Sequence, residues 1–444
     1  MAARLGSRPS FKKTVFDNGL TLISERHSQF RSLSIGIWVK VGTRHEMPAE
    51  AGASHFLEHM LFKGTDARNA LDIAREVDRV GGDFNAFTAR EYTCFHILLL
   101  DRDVSLGLEI LSDIVLNSSF DAEELERERK VILQEIAMVE DSHEELAHDL
   151  YFELLYGKHG LGKPILGTER SIRRMKRADL MKFFRQHYRP DQLIVSVAGN
   201  VSHETLKKRL KPLARREWPG RPKGSVKRKT GDSPAPKLKP GRWWVERPAE
   251  QAHLIWGVEG PKYASRDRFA AFLLNVYLGG GMSSALFQEI REKNGLAYTV
   301  YSSLSPFLDS GVFSIYVGTS IQNVPVCLRL IEECIIKLKR DLLTEEELQV
   351  TKENLKGTIL LSADNVESRM SSIATNEIFF REHVPLADVC RRIDEVTPAD
   401  LKRVARKILR TDNTSILALG PKPSRSVRNK LRAWSGGPWQ KLGR

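Results

Sequence analysis

The segment Gly52-Ala-Ser-His-Phe-Leu-Glu-His-Met-Leu-Phe-Lys-Gly-Thr65 places three polar side chains within an apolar stretch. Its spacing predicts a helix over residues 53–62. His55, Glu58 and His59 stand at positions i, i+3 and i+4, which brings their side chains to one face of that helix. The segment therefore predicts a helix that combines apolar packing positions with a polar face suited to chemistry.

The second half of the chain contains an apolar counterpart of this helix. The stretch Ala271-Phe-Leu-Leu-Asn-Val-Tyr-Leu278 keeps apolar residues where the first helix has Phe56 and Leu57. At the polar positions it has Ala271, Leu274 and Asn275 instead of the two histidines and the glutamate. A core helix requires only its apolar positions, so the polar face predicts a task that the first half performs alone. A second match supports an internal duplication, that of Asp121-Ala-Glu-Glu-Leu125 with Thr344-Glu-Glu-Glu-Leu348.

The length predicts two domains. A chain of 444 residues and 50.3 kDa is too long for one ordinary core. The stretch 219–241 is rich in proline and lysine and is typical of a linker, which gives an N-terminal domain at 1–218 and a C-terminal domain at 242–444. Strand patterns occur at 32–41, 93–100, 253–258 and 311–317, and helix patterns at 53–62, 67–80, 104–116, 123–139, 266–278, 324–338 and 344–361. Both halves therefore predict the same α+β mixture of strands and helices.

The charge is strongly positive but unevenly distributed. The formal net charge is +13 and the pI is near 9.5, values that also occur in nucleic-acid-binding proteins. Residues 207–247 hold fifteen Lys or Arg against three acidic residues, and residues 421–444 hold seven against none, so the rest of the chain is mildly acidic. We expect these two segments to be flexible and solvated, which disfavours nucleic acid as a partner. Contact of the linker and tail with RNA or an anionic membrane is the alternative.

Targeting and redox features are sparse. No apolar run approaches the roughly 20 residues of a membrane-spanning helix, so no membrane span is expected. The basic residues near the N-terminus precede no apolar core, which disfavours a secretory signal or a full transit peptide and predicts a cytoplasmic location. Cys94, Cys327, Cys334 and Cys390 form no C-x-x-C pair, and we expect neither a disulfide framework nor a cysteine zinc site.

The polar face of the helix at 53–62 has the composition of a metal site. Two imidazoles at i and i+4 can share one cation, and the carboxylate of Glu58 lies beside them. A catalytic zinc site needs a third protein ligand and an open position for water. The helix predicted at 123–139 offers Glu128 and Glu135, which are seven residues apart and therefore on one face. The alternative is a buried or capping histidine pair without metal.

The motif H-x-x-E-H is the inverzincin pattern, and the whole stretch from Gly52 to Thr65 resembles the pitrilysin and insulinase family of zinc metallopeptidases. Within that family it is most similar to the mitochondrial-processing-peptidase type. The resemblance extends to Gly81-Gly-Asp-Phe-Asn-Ala-Phe-Thr88 and to Arg291-Glu-Lys-Asn-Gly-Leu-Ala-Tyr298, and so covers most of the chain. It implies two homologous domains, each a mainly antiparallel sheet packed with helices.

The resemblance also implies roles for individual residues. His55, His59 and Glu135 would hold one Zn²⁺ per chain, with Glu128 supporting the ligands and Glu58 taking a proton from the attacking water. The strand with Asn85, Ala86, Phe87 and Thr88 would pair with the peptide backbone. Arg291 and Tyr298 would reach the substrate from a partner domain. Without the resemblance, the stretch from Arg291 to Tyr298 is a helix end with Asn294-Gly295 as its C-cap, followed by a strand.

The motif and the resemblance together predict a zinc-dependent endopeptidase that acts on peptides or unfolded segments, and the resemblance implies that it does so inside a closed chamber. The alternatives are a catalytically silent scaffold subunit of the same family and one half of a heterodimeric peptidase with a related chain. A homodimer is expected, because one chain carries both the zinc helix and the Arg291 and Tyr298 element. Residues 121–149 hold eleven acidic residues against three basic ones, which favours basic or unstructured peptides as substrates.

Overall fold

The structure, a computed structural model, describes residues 10–215, 235–434 and 438–442. In the first half, its strands and helices are β1 (Ser10–Val15), β2 (Thr21–Arg26), β3 (Ser32–Val39), α1 (Ala53–Leu61), α2 (Ala70–Asp78), β4 (Asp83–Thr88), β5 (Thr93–Leu100), α3 (Val104–Asn117), α4 (Ala122–Asp141), α5 (His143–Tyr156), α6 (Glu169–Arg174), α7 (Arg177–His187), β6 (Leu193–Gly199), α8 (His203–Arg209) and α9 (Lys211–Arg215). Among the helices of the described ranges, none combines the length and the apolar character needed to cross a membrane.

The second half repeats this alternation. Its elements are β7 (Gly241–Glu246), β8 (Ala252–Glu259), α10 (Arg268–Gly279), β9 (Ala297–Pro306), β10 (Gly311–Thr319), α11 (Val324–Arg340), α12 (Glu345–Ala363), α13 (Val366–Phe379), α14 (Leu386–Asp394), α15 (Pro398–Ile408), β11 (Ser415–Gly420), α16 (Arg425–Ala433) and β12 (Gln440–Leu442). A π-helical segment, Phe287–Lys293, precedes β9. The predicted helix end at Asn294-Gly295 is confirmed, because Gly295 has a positive φ and β9 begins two residues later.

Each half forms one six-stranded sheet. The first has the order β1-β2-β6-β3-β5-β4 and the second the order β12-β7-β11-β8-β10-β9. In the first sheet only β2 and β6 are parallel, and in the second only β12 with β7 and β7 with β11. If β1 and β12 are left aside, the strands of the two sheets are arranged in the same order relative to their order along the chain. This agreement confirms the predicted pair of similar, mainly antiparallel α+β domains.

Local signals explain where the elements begin and end. The helix predicted at 67–80 is shorter in the structure, because the side chain of Asn69 accepts a hydrogen bond from the backbone N–H of Asp72 and so caps α2. At its other end, Gly81 takes a positive φ of 66° that stops the helix before β4. Turn chemistry therefore moves the helix ends inward while the apolar core positions stay as predicted.

The described residues group into two compact units that each contain one sheet. Unit 1 holds residues 10–137, 163–215 and 360–384, and unit 2 holds 138–162, 235–359, 385–434 and 438–442. Helix α5, from the first half, belongs to unit 2, and helix α13, from the second half, belongs to unit 1. The contiguous domains predicted at 1–218 and 242–444 do not include this exchange. An apolar pattern indicates that a helix buries one face but does not indicate which sheet covers it.

In unit 1, α13 packs on one face of the sheet. Met370, Ile373 and Ala374 are buried in a cluster with Trp38 of β3 and Ile194 of β6. The indole N–H of Trp38 donates to the sulfur of Met370 over 3.2 Å. In unit 2, the apolar face of α5 packs in the same way, with its residues in one cluster with those of β7, β8, β10 and β11.

The structure tests the prediction for the basic tail but not for most of the basic linker. Most of the predicted linker, residues 219–234, lies outside the described residues. The tail was predicted to be flexible, and this is wrong for its described part. Helix α16 buries Val427 and Leu431 in the core of unit 2, and β12 pairs with β7. The indole N–H of Trp439 donates to the backbone oxygen of Leu431 over 3.1 Å. The high proportion of basic residues conceals an amphipathic helix whose charges point away from the core.

Candidate active site

Helix α1 presents the motif on its polar face. Its apolar residues Phe56, Leu57, Met60 and Leu61 are fully buried in the core of unit 1, which fixes the rotation of the helix about its axis. His55, Glu58 and His59 are only partly buried on the opposite face. The core positions therefore orient all three polar side chains toward one surface of unit 1.

The three predicted zinc ligands meet at this surface. Oε2 of Glu135, on α4, lies 3.7 Å from Nε2 of His55 and 3.6 Å from Nε2 of His59. The ligand atoms of the three residues lie within 4.8 Å of one another, and within the described ranges this is the one group of three or more His, Cys, Asp or Glu residues with that property. These distances would allow a single ion to contact all three groups.

Glu128 holds the second histidine in place. Its Oε2 atom lies 2.8 Å from Nδ1 of His59, and its Oε1 atom accepts a hydrogen bond from Nζ of Lys63 over 2.7 Å. An acceptor at Nδ1 fixes the ring orientation and keeps Nε2 free to bind a metal. Glu128 lies two helical turns before Glu135 on α4, and both carboxylates face α1, as their spacing of seven residues predicts.

Glu58 lies beside the ligands with a partner of its own. The hydroxyl of Thr88, on β4, donates to Oε2 of Glu58 over 2.5 Å. Burial raises the pKa of Glu58, while this hydrogen bond and the nearby His59 act in the opposite direction. The carboxylate is therefore partly removed from water and held in a fixed orientation next to the histidines.

The chemistry of this pocket suits a divalent cation. Oε2 of Glu135 and Nδ1 of His55 are buried and have no hydrogen-bond partner among the described residues, which is unusual for buried polar atoms. Burial, and then the nearby His59, lower the pKa of His55 to about 3, so its imidazole is neutral and available as a ligand. Burial also acts to lower the pKa of His59, but the bond to Glu128 and the charge of Glu135 raise it. Two histidines and a carboxylate are an ordinary catalytic zinc set.

Unit 2 lacks this chemistry at the corresponding helices. In α10 the places of the three polar residues of α1 hold Ala271, Leu274 and Asn275, and the first two of these are buried in the core. In α12 the repeat position of Glu135 is Thr358, whose hydroxyl donates to the backbone oxygen of Asn354. The helix framework is retained while the ligands are not.

The predicted substrate strand, β4, lies at one end of the sheet of unit 1, and β5 is its one partner among the strands that the structure describes. Its side chains alternate: Phe84, Ala86 and Thr88 are half-buried toward α1, and Asn85 and Phe87 are exposed. The backbone N–H of Ala86 donates to the side-chain oxygen of Asn85 over 2.8 Å. The strand thus combines an open edge with a direct contact to Glu58 through Thr88.

Arg291 and Tyr298 lie in unit 2 and contact each other. The guanidinium of Arg291 stacks 4.6 Å from the ring centroid of Tyr298 and donates to the backbone oxygen of Tyr298 over 3.0 Å. Tyr298 is 76% exposed and stands near the start of β9, the end strand of its sheet. Its phenol therefore faces solvent and is available to a partner molecule.

Two residues near the site were not predicted from the sequence. Lys63 follows His59 by four residues, so helical spacing could have identified its contact with Glu128. Glu46 is only 5% exposed, and its carboxylate accepts hydrogen bonds from the backbone N–H groups of Gly52 and Ser54 at the start of α1. Burial raises the pKa of Glu46 to about 7. The one signal for it in the sequence is that the residue before α1 is Gly52, which cannot supply a capping side chain.

Two family models match the chain. Residues 21–169 match the model described as insulinase, peptidase family M16, and residues 174–355 match the model described as peptidase M16 inactive domain. This chain belongs to the M16 peptidase family. The first match contains every residue of the candidate metal site, and the second contains Arg291 and Tyr298.

Relatives of known sequence can be aligned with this chain over almost its full length. A Bacillus subtilis protein named as an uncharacterized zinc protease is 37% identical over 92% of this chain and 98% of its own length. A Mycobacterium tuberculosis protein with the same description is 38% identical over 96% and 97%, respectively. Among solved structures, a protease from Helicobacter pylori aligns with a TM-score of 0.84 at 22% identity, over 93% of this chain and all of its own. That last similarity supports the fold alone.

Proposed function

We propose that this chain is a zinc-dependent endopeptidase that hydrolyses peptides or unfolded segments inside a closed chamber. The observation that carries the proposal is the convergence of His55, His59 and Glu135 on one point, with the carboxylate of Glu58 beside them. The names of the relatives, which describe zinc proteases, support the choice of metal. A silent scaffold subunit would have no need of this complete set.

The residues divide the chemistry between them. His55, His59 and Glu135 would hold the zinc, which when bound polarises both a water molecule and the scissile carbonyl. Glu58 would accept a proton from the attacking water, and its raised pKa suits a group that would later return the proton to the leaving amine. The Thr88 hydroxyl keeps one oxygen of Glu58 in place, so the other oxygen is free to face the water.

The open edge of β4 supplies a place for the substrate backbone. A peptide that adds to this edge as a further strand would be held by main-chain hydrogen bonds, largely independent of its sequence. Thr88 links this edge to Glu58, so a peptide bound along β4 passes the general base. Asn85, Ala86 and Phe87 would contact the peptide along the same edge.

We further propose that the site is completed by a second copy of the chain. Tyr298 is an exposed residue on β9, an end strand of the sheet of unit 2, where Arg291 contacts it, and its hydroxyl would stabilise the charge that develops on the carbonyl oxygen. A closed two-fold dimer would supply this element from the partner copy. A heterodimer with a related chain is the alternative arrangement.

A preference for basic or unstructured peptides stays a prediction. The acidic segment 121–149 motivates it, but several of these acids already have cationic partners. The guanidinium of Arg127 donates to Glu124, and Nε and Nη2 of Arg129 donate to the two carboxylate oxygens of Glu126. Cleavage rates of matched basic and acidic peptides test it, and equal rates would reject the preference.

Metal analysis and a cleavage assay test the enzyme proposal. We expect about one zinc per chain and cleavage of an unstructured peptide by the wild-type protein. Glu58→Gln should lose about 10²–10⁴-fold in kcat, the usual contribution of a general base, while keeping its zinc. Glu123→Gln is the matched control, because that carboxylate is 84% exposed on α4 and touches none of the ligands. Wild-type protein without zinc and without activity would support the scaffold alternative.

Mixing two inactive variants tests the composite site. His55→Ala lacks a ligand and Tyr298→Phe lacks the phenol, so a mixed dimer with sites shared across subunits has one intact site. The mixture should regain part of the activity that each variant lacks. Mass spectrometry must establish that subunits exchange, and if they exchange without any gain in activity the composite site is wrong.

A further inference from the structure

The first turn of helix α1 takes its capping hydrogen bonds from a side chain outside the helix. Helix α1 begins at Ala53 after Gly52, which has a φ of +88° and no side chain to cap the helix. A Cβ at this position would lie 2.8 Å from the backbone oxygen of Leu166, so no larger residue fits there. The N–H groups of the first turn consequently need an acceptor from elsewhere in the chain.

Glu46 supplies that acceptor. Its Oε2 atom accepts from the N–H of Gly52 and its Oε1 atom from the N–H of Ser54, both over 2.9 Å. In most helices these two tasks fall to a capping side chain at the N-cap and to a glutamate in the first turn. Here one buried side chain performs both tasks, at the end of the helix where the dipole favours its anionic form.

The position of this carboxylate is itself fixed against the substrate strand. Arg44, two residues before Glu46, is held by two hydrogen bonds. Its backbone N–H donates to the backbone oxygen of Arg90, and its guanidinium donates to the carboxylate of Glu91 over 2.6 Å. Arg90 and Glu91 form the turn that follows β4, the strand that carries Thr88. The loop with Glu46 therefore connects the start of α1 to the end of β4.

The consequence for the metal site follows from the length of α1. The helix has only nine residues, and His55 is its third. A shift of one residue in the first turn would displace His55 by about 1.5 Å, whereas a working site tolerates about 0.5 Å. We propose that Glu46 is a positioning residue, which holds the first turn of α1 so that His55 and His59 keep the geometry that binds zinc. This inference rests on the proposed zinc site but not on peptidase activity.

Zinc affinity, measured by competition with a chromophoric chelator, tests the proposal. Glu46→Gln keeps the size of the side chain but places an NH₂ group against a backbone N–H, so one of the two bonds is lost. We expect the Kd for zinc to rise by about tenfold or more, as for the loss of other groups that orient metal ligands. The apo protein should keep its folded circular dichroism spectrum at the temperature of the measurement.

Glu25→Gln provides the matched control. Glu25 is also a buried carboxylate of unit 1, 2% exposed, but it lies on β2 and bonds His27 and Arg369. We expect it to lower the stability of the apo protein and to change the zinc Kd by less than about threefold, far below the effect of losing a ligand-orienting group. A residue with a merely structural role would behave in the same way.

The outcomes separate the two proposals. If Glu46→Gln changes the zinc Kd no more than Glu25→Gln does at a similar loss of stability, Glu46 is structural and the positioning role is wrong. If Glu46→Gln does not fold, Glu46→Asp, which draws the carboxylate back by one methylene, is measured instead with the same expectation. Failure of both variants to fold would also overturn the proposal. Wild-type protein that binds zinc but cleaves no peptide would refute the peptidase function and leave the role of Glu46 intact.

Discussion

A buried ion cluster helps to attach α13 to the sheet of unit 1, and replacing Arg369 should weaken that attachment and lower the stability of the protein. The guanidinium of Arg369 donates to both oxygens of Glu25 on β2, over 2.9 and 2.6 Å, and Nε2 of His27 lies 2.6 Å from the same carboxylate. The side chains of Glu25, His27 and Arg369 are all less than 10% exposed. Arg369→Met keeps much of the apolar stem and removes the charge.

The expected loss follows from the pKa of Glu25. Burial acts to raise this pKa, but the hydrogen bonds of His27 and Arg369 and their charges lower it from 4.5 to about 2. At 1.36 kcal/mol for each tenfold change, this corresponds to about 3 kcal/mol of stability. Breaking one side of a buried ion pair costs about 3–5 kcal/mol, which agrees. With a urea slope of about 2–3 kcal/mol/M, the unfolding midpoint should fall by about 1–1.5 M.

Urea unfolding at pH 7 and at lower pH measures both the size and the cause of the effect. Because the folded-state pKa of Glu25 is depressed, its contribution is present above pH 4.5 and disappears as the pH falls toward 2. The gap between wild type and Arg369→Met should therefore be largest near neutral pH and should narrow below pH 4.5. Arg174→Met, at an exposed arginine of unit 1, is the control and should change little. A loss below about 1 kcal/mol at pH 7, or a gap that does not depend on pH, would refute the reasoning.

Three further predictions concern the site and the tail. Glu128→Ala should weaken zinc binding by about 10–100-fold, because His59 loses the acceptor that orients it, and an unchanged Kd would exclude that role. Thr88→Val should lower kcat by about tenfold without loss of zinc, as expected when Glu58 loses its hydrogen bond, and Thr88→Ser should restore it; equal activity of all three proteins would contradict this. Leu431→Ala should destabilise unit 2 by about 2–5 kcal/mol in thermal unfolding, whereas a flexible tail would show no change.

Local periodicity accounts for what could be predicted of this site. The apolar residues of α1 fix the rotation of the helix about its axis, so the residue spacing alone predicts that His55, Glu58 and His59 share one face. The same holds for Glu128 and Glu135, seven residues apart on α4. Their meeting with α1 was not readable from spacing and came from family resemblance, because it depends on how two helices pack.

Contacts between distant parts of the chain account for what was missed. Glu46 caps a helix that starts seven residues later, and no sequence pattern links a loop carboxylate to a particular N–H group. The attachment of α13 to the first sheet through Arg369 joins residues 344 positions apart. The prediction of a flexible tail was wrong because it rested on the many basic residues and did not consider two apolar residues at helical spacing, Val427 and Leu431.

The duplication explains why one framework carries two kinds of surface. Leu125 of α4 and Leu348 of α12 are both buried at matching positions, so packing has kept the same helices in both units. Polar positions are free of that constraint, and among the residues that the structure describes only unit 1 brings together a group of histidines and a carboxylate that could hold a metal. The end strand of each sheet nevertheless carries a residue predicted to contact peptide, Phe87 on β4 and Tyr298 on β9, and both are exposed. In the composite site proposed above, the partner copy would supply the strand of unit 2, so that proposal uses only features that the two copies of the framework already present.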